Sequence, residues 1–248
     1  ATAAGKGVVQ GILSAGNTGA FAAACQFRIK TIPGVSRPGI GVVIPTFHGP
    51  VLLCDAGANV APKPRHLFEY AHMGTCYARS VLGIAEPRIG LISIGEEETK
   101  GNPLVREART LIKADPSLKY IGNVEGRDIF AGVGEVFVCD GFVGNVVLKL
   151  TEGLAEGLFQ TISGEIAVEG PHLAAQFDPI VKRIWRRHDF KEYGGAPLLG
   201  LTSVVIICHG RSDRRAIANA VRVATEQIRA DLIGVISSQL VHLSEDSA

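Results

Sequence analysis

The sequence has too little of several features to fit some common classes of protein. Its 25 Lys and Arg residues nearly balance its 24 Asp and Glu residues. This balance argues against a positive potential over the whole surface that would bind nucleic acid, so any charged partner must be bound by a local patch. Three uncharged stretches, 7–27, 38–54 and 193–210, are each interrupted by Gly, Pro, Asn or His. Because a membrane span needs about 20 predominantly apolar residues, we predict no transmembrane helix.

Motifs of covalent and cofactor chemistry are also missing. The sequence has no P-loop, no dinucleotide-binding G-x-G-x-x-G and no G-x-S-x-G nucleophile elbow. Its cysteines lack the paired spacing of a zinc site, so we interpret them as small buried hydrophobic residues of a protein in the reducing cytoplasm. These cysteines are Cys25, Cys54, Cys76, Cys139 and Cys208.

The sequence does contain a repeated unit, in which an apolar strand leads through a polar, glycine-containing loop into a helix. The alternation predicts right-handed crossovers and a three-layer α/β/α sandwich with a mainly parallel sheet. We predict one α/β domain over 1–248, with a helical excursion from the sheet at 151–192. The strands are predicted at 8–14, 39–45, 51–54, 88–94, 120–124, 135–139 and 204–208, and later helices are predicted to begin at Val146 and after a Ser212 cap.

The stretch from Ile94 to Asn102, with the sequence IGEEETKGN, joins one of these strands to a helix. Asn102 suits the N-cap of that helix, and Pro103 suits its first position, where the missing N–H costs nothing. The positive end of the helix dipole favours anionic ligands. Lys100 is therefore our first candidate for an anion-binding residue, and one of the three acids before it is expected to orient it.

Polar residues follow the other predicted strands as well. Parallel strands finish at one end of a sheet, which is where open α/β sheets bind their ligands, so we expect all of these residues to share one site. Taken alone, Asp55 and Asn59 are more simply explained as turn formers, and His209 as a residue that ends its strand. The candidate substrate-binding residues are Gly16, Asn17, Thr18, Asp55, Asn59, Glu97, Asn102, Asn123, Arg127, Asp140 and His209.

The segment 151–192 combines an apolar stripe of helical spacing with a basic stretch that carries the one Trp. Such a stretch can lie on an anionic membrane or dock an acidic protein. A solvated helix that packs its apolar stripe on a second subunit is an equally good interpretation. The candidate residues for contact with a partner protein or membrane are Lys182, Arg183, Trp185, Arg186 and Arg187.

Seven segments together resemble one known family, the PlsX-type phosphate acyltransferases. In chain order they are SAGNTGA, DAGAN, IGEEETKGN, IGNVEGRDI, CDGFVGNVVLKLTEG, YGGAPLLG and HGRSD. The resemblance implies a homodimeric, isocitrate dehydrogenase-like sandwich that transfers a long-chain acyl group from acyl carrier protein to inorganic phosphate. It also implies a cytoplasmic enzyme, peripheral to the membrane, whose acyl phosphate passes to a glycerol-3-phosphate acyltransferase, with no metal or organic cofactor.

The resemblance also implies roles for particular residues. The family's essential lysine and asparagine fall on Lys100 and Asn145. We expect Lys100 and the helix N-termini after Gly16, Asn102 and Gly144 to hold phosphate. Asn145 would stabilise the oxyanion through an amide N–H.

The chain departs from the family in two respects. It lacks the initial strand with its Asp-Ala-Met-Gly-Gly-Asp motif, which suggests that the sequence starts inside a larger fold, and its 164–170 segment carries two acids where members have an apolar tip. Two rival functions follow. One is a truncated or diverged scaffold that binds acyl carrier protein or membrane without catalysis. The other, a nicotinamide-dependent decarboxylating dehydrogenase, would need magnesium-binding aspartates and an arginine cluster that the sequence does not show.

Overall fold

The structure is a computed structural model that describes the backbone of residues 1–245, and the side chains of that range except those of Arg187, His188, Phe190, Lys191 and 242–245. In chain order its helices and strands are α1 (Thr2–Gly5), β1 (Gly11–Ser14), α2 (Thr18–Arg28), β2 (Gly39–Thr46), β3 (Gly49–Cys54), α3 (Pro64–Ser80), β4 (Arg88–Ile92), α4 (Pro103–Ala114), β5 (Lys119–Val124), β6 (Val136–Val138), α5 (Gly141–Glu169), α6 (Pro171–His188), β7 (Ala196–Leu199), β8 (Val204–Ile207), α7 (Arg214–Arg229) and α8 (Leu232–Glu245). Two 3₁₀ turns, Gly126–Phe130 and Phe190–Tyr193, complete the described elements.

The eight strands form one mixed sheet in the order β1-β8-β7-β2-β3-β6-β4-β5. Four neighbouring pairs are parallel: β1 with β8, β3 with β6, β6 with β4, and β4 with β5. The other three pairs, β2 with β3, β2 with β7 and β7 with β8, are antiparallel. The strands predicted at 39–45 and 51–54 form a hairpin, in which β2 and β3 pair from Gly41 with Cys54 to Thr46 with Gly49.

Helices cover both faces of this sheet, which confirms the three-layer α/β/α sandwich. One core cluster packs α3, α4 and α8 on one face of the sheet, and a second packs α1, α2 and the start of α5 on the other. A third cluster joins β8 to α7. Leu91 and Ile92 illustrate the alternation, because these neighbours in β4 enter the first and second clusters respectively.

The long helices α5 and α6 pack on each other and leave the core early. Val143, Val147 and Leu148 are partly buried against the second core cluster, whereas the fully buried residues of α5 are only Gly141 and Gly144. Gly170 joins the two helices with φ of 137°, a conformation that favours glycine. Within residues 1–245, none of the helices combines the length and apolar content that a membrane span requires.

Two helix starts differ from the sequence prediction. The predicted start of α5 at Val146 is wrong, because the helix begins at Gly141 with Asp140 as its cap, so Asn145 lies inside its first turns. The predicted cap Ser212 is also wrong, since Asp213 accepts from Ala216 N at 2.9 Å. The predicted start of α4 is confirmed, because Asn102 Oδ1 accepts from Val105 N at 2.9 Å.

Candidate functional site

The loop after β3 is organised by the buried carboxylate of Asp55, which has no exposed surface. Its Oδ1 accepts from the backbone N–H groups of Ile40, Gly57 and Ala58 at 2.9 to 3.1 Å. Its Oδ2 accepts from Asn59 N at 2.7 Å. Burial raises the pKa of Asp55, and the backbone donors oppose that shift. With these partners, Asp55 holds the loop in its conformation from within.

Asn59 ties the same loop to the helix beneath it. Its side-chain amide donates to Pro38 O at 2.7 Å and to Tyr70 Oη at 2.8 Å. Burial, followed by the negative charge of Asp55, raises the pKa of Tyr70, so the phenol stays neutral and serves as a hydrogen-bonding group. Asn59 is thus a structural support for the loop, which agrees with the turn-forming alternative considered from the sequence.

The start of α5 packs directly on the Asp55 loop. Asp140 Oδ1 accepts from Phe142 N and Val143 N, both at 2.9 Å, and Gly141 N donates to Asn59 O at 2.8 Å. A Cβ on Gly144 would lie 1.9 Å from the Asp55 carbonyl oxygen. The glycine therefore permits a contact that no other residue could make without a shift of the backbone.

Asn145 lies at this contact, one residue after Gly144. A Cβ built on Gly57 would lie 3.7 Å from Asn145 Oδ1, so the carboxamide lies beside the loop that Asp55 shapes. Phe142 and Val146 share its part of the helix and are both exposed. The carboxamide is thereby flanked by apolar side chains.

Lys100 lies in the loop between β4 and α4. Strand β4 lies next to β6, which precedes α5. Lys100 is exposed, and its stem lies over Gly95, since a Cβ on that glycine would be 3.0 Å from Lys100 Cγ and 2.7 Å from Glu97 Oε2. Because β4 and β6 are hydrogen-bonded neighbours, the loop that carries Lys100 and the helix that carries Asn145 follow adjacent strand ends.

Other charges around Lys100 are engaged elsewhere. Glu98 pairs with Lys113 at 2.5 Å, and Glu96 lies 3.8 Å from Arg127. Arg127 also pairs with Glu125 at 3.1 Å, which places its cation among acids instead of leaving it for a substrate anion. Among the described residues, Lys100 has no ion-pair partner within 4.0 Å.

The prediction that all candidate residues share one end of the sheet is wrong for the segments after β1 and β8. Three antiparallel pairings separate β8 from β3, so β1 and β8 finish at the opposite end from β3, β4, β5 and β6. The two antiparallel pairings of β7, a strand that the sequence did not predict, cancel each other, so the net reversal lies between β2 and β3. The residues thereby placed away from Lys100 and Asn145 are Gly16, Asn17, Thr18 and His209.

Three of those four residues make local hydrogen bonds that explain their positions. Asn17 caps α2, because its Oδ1 accepts from Ala20 N at 2.9 Å. Gly16 N donates to Ser14 Oγ at 3.3 Å. His209 Nδ1 accepts from Arg211 N at 3.1 Å, which agrees with its interpretation as a strand-ending residue.

The basic segment of α6 faces a groove of about 650 Å³ beside α7. Within it Lys182 pairs with Asp178 at 2.5 Å, and Arg215 pairs with Glu192. Trp185 lies elsewhere, packed edge to face on Phe159 of α5 at 4.8 Å, so it holds α5 and α6 together and is not part of the groove. The groove is lined by Asp178, Pro179, Lys182, Arg183, Arg186, Glu192 and Arg215; the Arg187 side chain lies outside the described residues.

The cysteines have the character that the sequence predicted. All five are free and buried, and burial raises the pKa of each thiol, which disfavours the nucleophilic thiolate. Among the described residues, no three His, Cys, Asp or Glu side chains are grouped so that they could hold a metal ion.

Sequence reasoning missed several residues that build the site. Tyr70 reads as one more core residue of α3, and no local signal distinguishes it from the others. Gly57 and Gly144 are visible as glycines of two polar loops, but nothing in the sequence shows that these loops meet. Ser93, directly after β4, has a buried hydroxyl with no described hydrogen-bond partner.

Similar solved structures define the class of fold. A phosphotransacetylase from Streptococcus pyogenes superposes with a TM-score of 0.62 at 20% identity, over 94% of this chain and 65% of that one. A branched-chain phosphotransacylase from Enterococcus faecalis V583 gives 0.57 at 14% identity, over 92% of this chain and 76% of that one. The fold is therefore that of the phosphotransacylases.

Sequence comparison then identifies the family. The family described as fatty acid synthesis protein matches residues 1–234. Phosphate acyltransferases of Heliobacterium modesticaldum and Nitratidesulfovibrio vulgaris are each 49% identical, over 95% and 88% of this chain. The chain spans 70% and 64% of the length of these two relatives. It belongs to the phosphate acyltransferase family, a family of acyltransferases.

Proposed function

We propose that the protein transfers a long-chain acyl group from acyl carrier protein to inorganic phosphate. The observation that carries the proposal is Lys100, an exposed residue that has no ion-pair partner among the described residues and lies in the loop after β4. That strand is adjacent to β6, which leads to Asn145. The N-terminus of α4, two residues after Lys100, adds backbone donors and a favourable dipole for an anion.

The reaction follows from these groups. A phosphate oxygen attacks the thioester carbonyl carbon, the resulting tetrahedral intermediate expels the carrier thiolate, and the proton of hydrogen phosphate ends on that thiol. Lys100 neutralises and positions the phosphate, which converts an encounter of two solutes into a reaction between held partners. The side-chain amide of Asn145 donates to the oxygen that becomes negative. In this direct attack, no nucleophilic side chain and no cofactor is required as a further reactant.

The local geometry supports a fixed position for Asn145. The turn that carries it packs on the Asp55 loop through Gly141 and Gly144, and Asp55 is itself held by four backbone donors. A rigid support of this kind keeps a donor aimed at the developing charge without reorganisation during the reaction. The roles of Lys100 and Asn145 rest on this geometry together with the family resemblance.

The basic groove beside α7 is proposed as the docking site for acyl carrier protein. Lys182, Arg183, Arg186 and Arg215 bring four cations to one concave surface that also carries two acids, Asp178 and Glu192. The excess of positive charge would steer and orient an acidic partner. Arg183 and Arg186 are the two cations of the groove for which no ion pair is described. The same residues could equally meet anionic lipid headgroups, which would explain a peripheral position at the membrane of a cytoplasmic protein.

A second copy of the chain is proposed to cover the apolar stripe of α5. Six apolar residues recur at four-residue intervals along it and are 45 to 68% exposed: Phe142, Val146, Leu150, Leu154, Leu158 and Ile162. A stripe of that length is typical of a helix-packing interface. Because it starts beside Asn145, a homodimer would place the partner subunit close to the site.

The test of the proposed function uses the intact gene product with palmitoyl-acyl carrier protein and inorganic phosphate. Acyl phosphate is trapped with hydroxylamine, and free carrier protein is followed by native gel electrophoresis. Formation of both products, dependent on phosphate, is the expected result. Carrier protein that binds without being deacylated would support the scaffold function instead. Reduction of a nicotinamide cofactor with hydroxy acids, and no acyl phosphate, would support the dehydrogenase.

A further inference from the structure

We propose that Asn123 is a positioning residue that sets the affinity of the site for phosphate by holding the loop of Lys100. The inference rests on the proposed function of Lys100 as the phosphate-binding cation. Asn123 was expected from the sequence to touch the substrate itself; the structure assigns it a different task.

The connection between the two residues passes through one carbonyl group. Asn123 Nδ2 donates to Glu97 O at 3.0 Å, and Lys100 N donates to the same oxygen, also at 3.0 Å. The Glu97 carbonyl thereby closes the turn 97–100 and fixes it to β5. Without the Asn123 amide, this exposed loop would keep its internal bond and the contacts of Glu98 with Arg109 and Lys113 of α4. It would lose its hydrogen bond to β5, and the Lys100 ammonium would sample more positions.

A bulge in β5 aims Asn123 at that loop. Ile89 of β4 pairs with Tyr120, but the next residue, Gly90, pairs with Gly122, so Ile121 is an extra residue in β5. Gly122 has φ of 109°, which favours glycine. Because side chains alternate between faces, the one-residue shift places Asn123 opposite Leu91, on the face of α4, instead of opposite Ile92 on the other face.

The position is not optimised for stability. Asn123 is only 6% exposed, and its Oδ1 is buried without a described hydrogen-bond partner. An unpaired buried acceptor is destabilising, whereas an apolar side chain of similar shape would avoid that cost. A purely structural residue at this buried position in the edge strand β5 would be leucine. The retained amide therefore points to a task in the loop.

The experiment measures phosphate binding at Lys100 independently of turnover. The intact protein is treated with an N-hydroxysuccinimide acetate reagent in rising concentrations of inorganic phosphate, and acetylation of Lys100 is quantified by mass spectrometry. The variants are Asn123→Leu and Asn123→Asp. Leucine keeps the branching at Cγ and the number of side-chain heavy atoms, whereas aspartate keeps the shape but turns an acceptor toward the Glu97 carbonyl. Tyr120→Phe is the control, because it removes another buried, unpaired polar atom from the same strand.

The loss of one hydrogen bond predicts that Asn123→Leu needs about three- to tenfold more phosphate for half protection, and Asn123→Asp needs still more. Tyr120→Phe should match the wild type. In turnover, the KM for phosphate should rise by the same factor while the KM for the acyl donor stays constant. The urea midpoint of Asn123→Leu should not fall, which separates positioning from a loss of stability.

The inference would be overturned if wild type and Asn123→Leu needed equal phosphate concentrations for half protection. It would also be overturned if the loss of protection followed a loss of stability, or if phosphate failed to protect Lys100 in the wild type. A protein that makes no acyl phosphate, yet shows protection that depends on Asn123, would overturn the proposed reaction and leave this inference standing.

Discussion

Gly144 passes so close to Asp55 that a Cβ on the glycine would lie 1.9 Å from the Asp55 carbonyl oxygen. This contact joins the loop after β3 to the helix after β6, and Asn145 is the next residue along that helix. The position of the Asn145 carboxamide therefore depends on the absence of a side chain at its neighbour.

The first prediction follows from that contact. Gly144→Ala should lower the free energy of unfolding by about 2 kcal/mol or more, because the added methyl group meets rigid backbone and forces the helix away. Gly153→Ala in the same helix, where nothing described lies within 4 Å of the added carbon, should raise it by about 0.5 to 1 kcal/mol. Urea denaturation measures both. Equal effects at the two positions would show that the close contact is absent.

The second prediction concerns the buried carboxylate. Asp55→Asn should cost about 3 kcal/mol, because an amide NH₂ group would face backbone donors that now meet an oxygen. Asp140→Asn is the matched control, since asparagine caps a helix as well as aspartate does, and its urea midpoint should stay close to that of the wild type. A stable Asp55→Asn variant that loses activity only through the KM for phosphate would instead place Asp55 in contact with substrate.

The third prediction tests the α5 stripe. Leu154 lies at the centre of the stripe and is 59% exposed, so a second copy of the chain should bury it. Leu154→Glu should therefore convert a dimer into a monomer, as measured by sedimentation velocity. Val168→Glu changes a residue that is 82% exposed and off the stripe, and it should leave the dimer intact. A wild-type monomer, or a dimer unaffected by Leu154→Glu, would remove the stripe from the interface.

The fourth prediction separates the two partners proposed for the basic groove. Arg183→Glu combined with Arg186→Glu should raise the KM for palmitoyl-acyl carrier protein at least tenfold, because the steering charge is reversed. The KM for a small palmitoyl thioester without the carrier should stay unchanged. If only sedimentation with anionic vesicles is lost, the groove meets lipid and the carrier docks elsewhere.

The sequence predicts the parts of this fold whose signals are local. Asn102 and Pro103 specify a helix start through their own side chains, and that start is confirmed. The alternation of strands and helices along the chain likewise predicts the three layers of the sandwich. Relative strand direction depends on pairings between distant segments, and for that reason the one-end prediction failed: β2 and β3 are antiparallel, and β8 joins the sheet through β7 in the same direction as β2. The sequence did not predict β7, because its four residues include Pro197 and its segment reads as a loop between glycines.

The candidate site divides in the same way. Lys100 and Asn145 are placed by motifs, and the structure brings the Lys100 loop and the start of α5 to adjacent strand ends. The start of α5 was misplaced because glycines at 141 and 144 read as loop residues, although Asp140 offered a cap and the apolar spacing already begins at Phe142. The β5 bulge that turns Asn123 toward the Lys100 loop follows from a register with β4 that the sequence of β5 alone does not specify.

The central claim is that Lys100 and Asn145 act on the same reacting groups, and the most direct test is the rate of acyl phosphate formation by Lys100→Ala, Asn145→Ala and the double variant of the intact gene product. Each single change should lower kcat/KM about 100-fold or more, and the double change should cost less than the product of the two, as expected for residues that act as a unit. Near-normal rates for both single variants, in protein that stays folded, would contradict the claim.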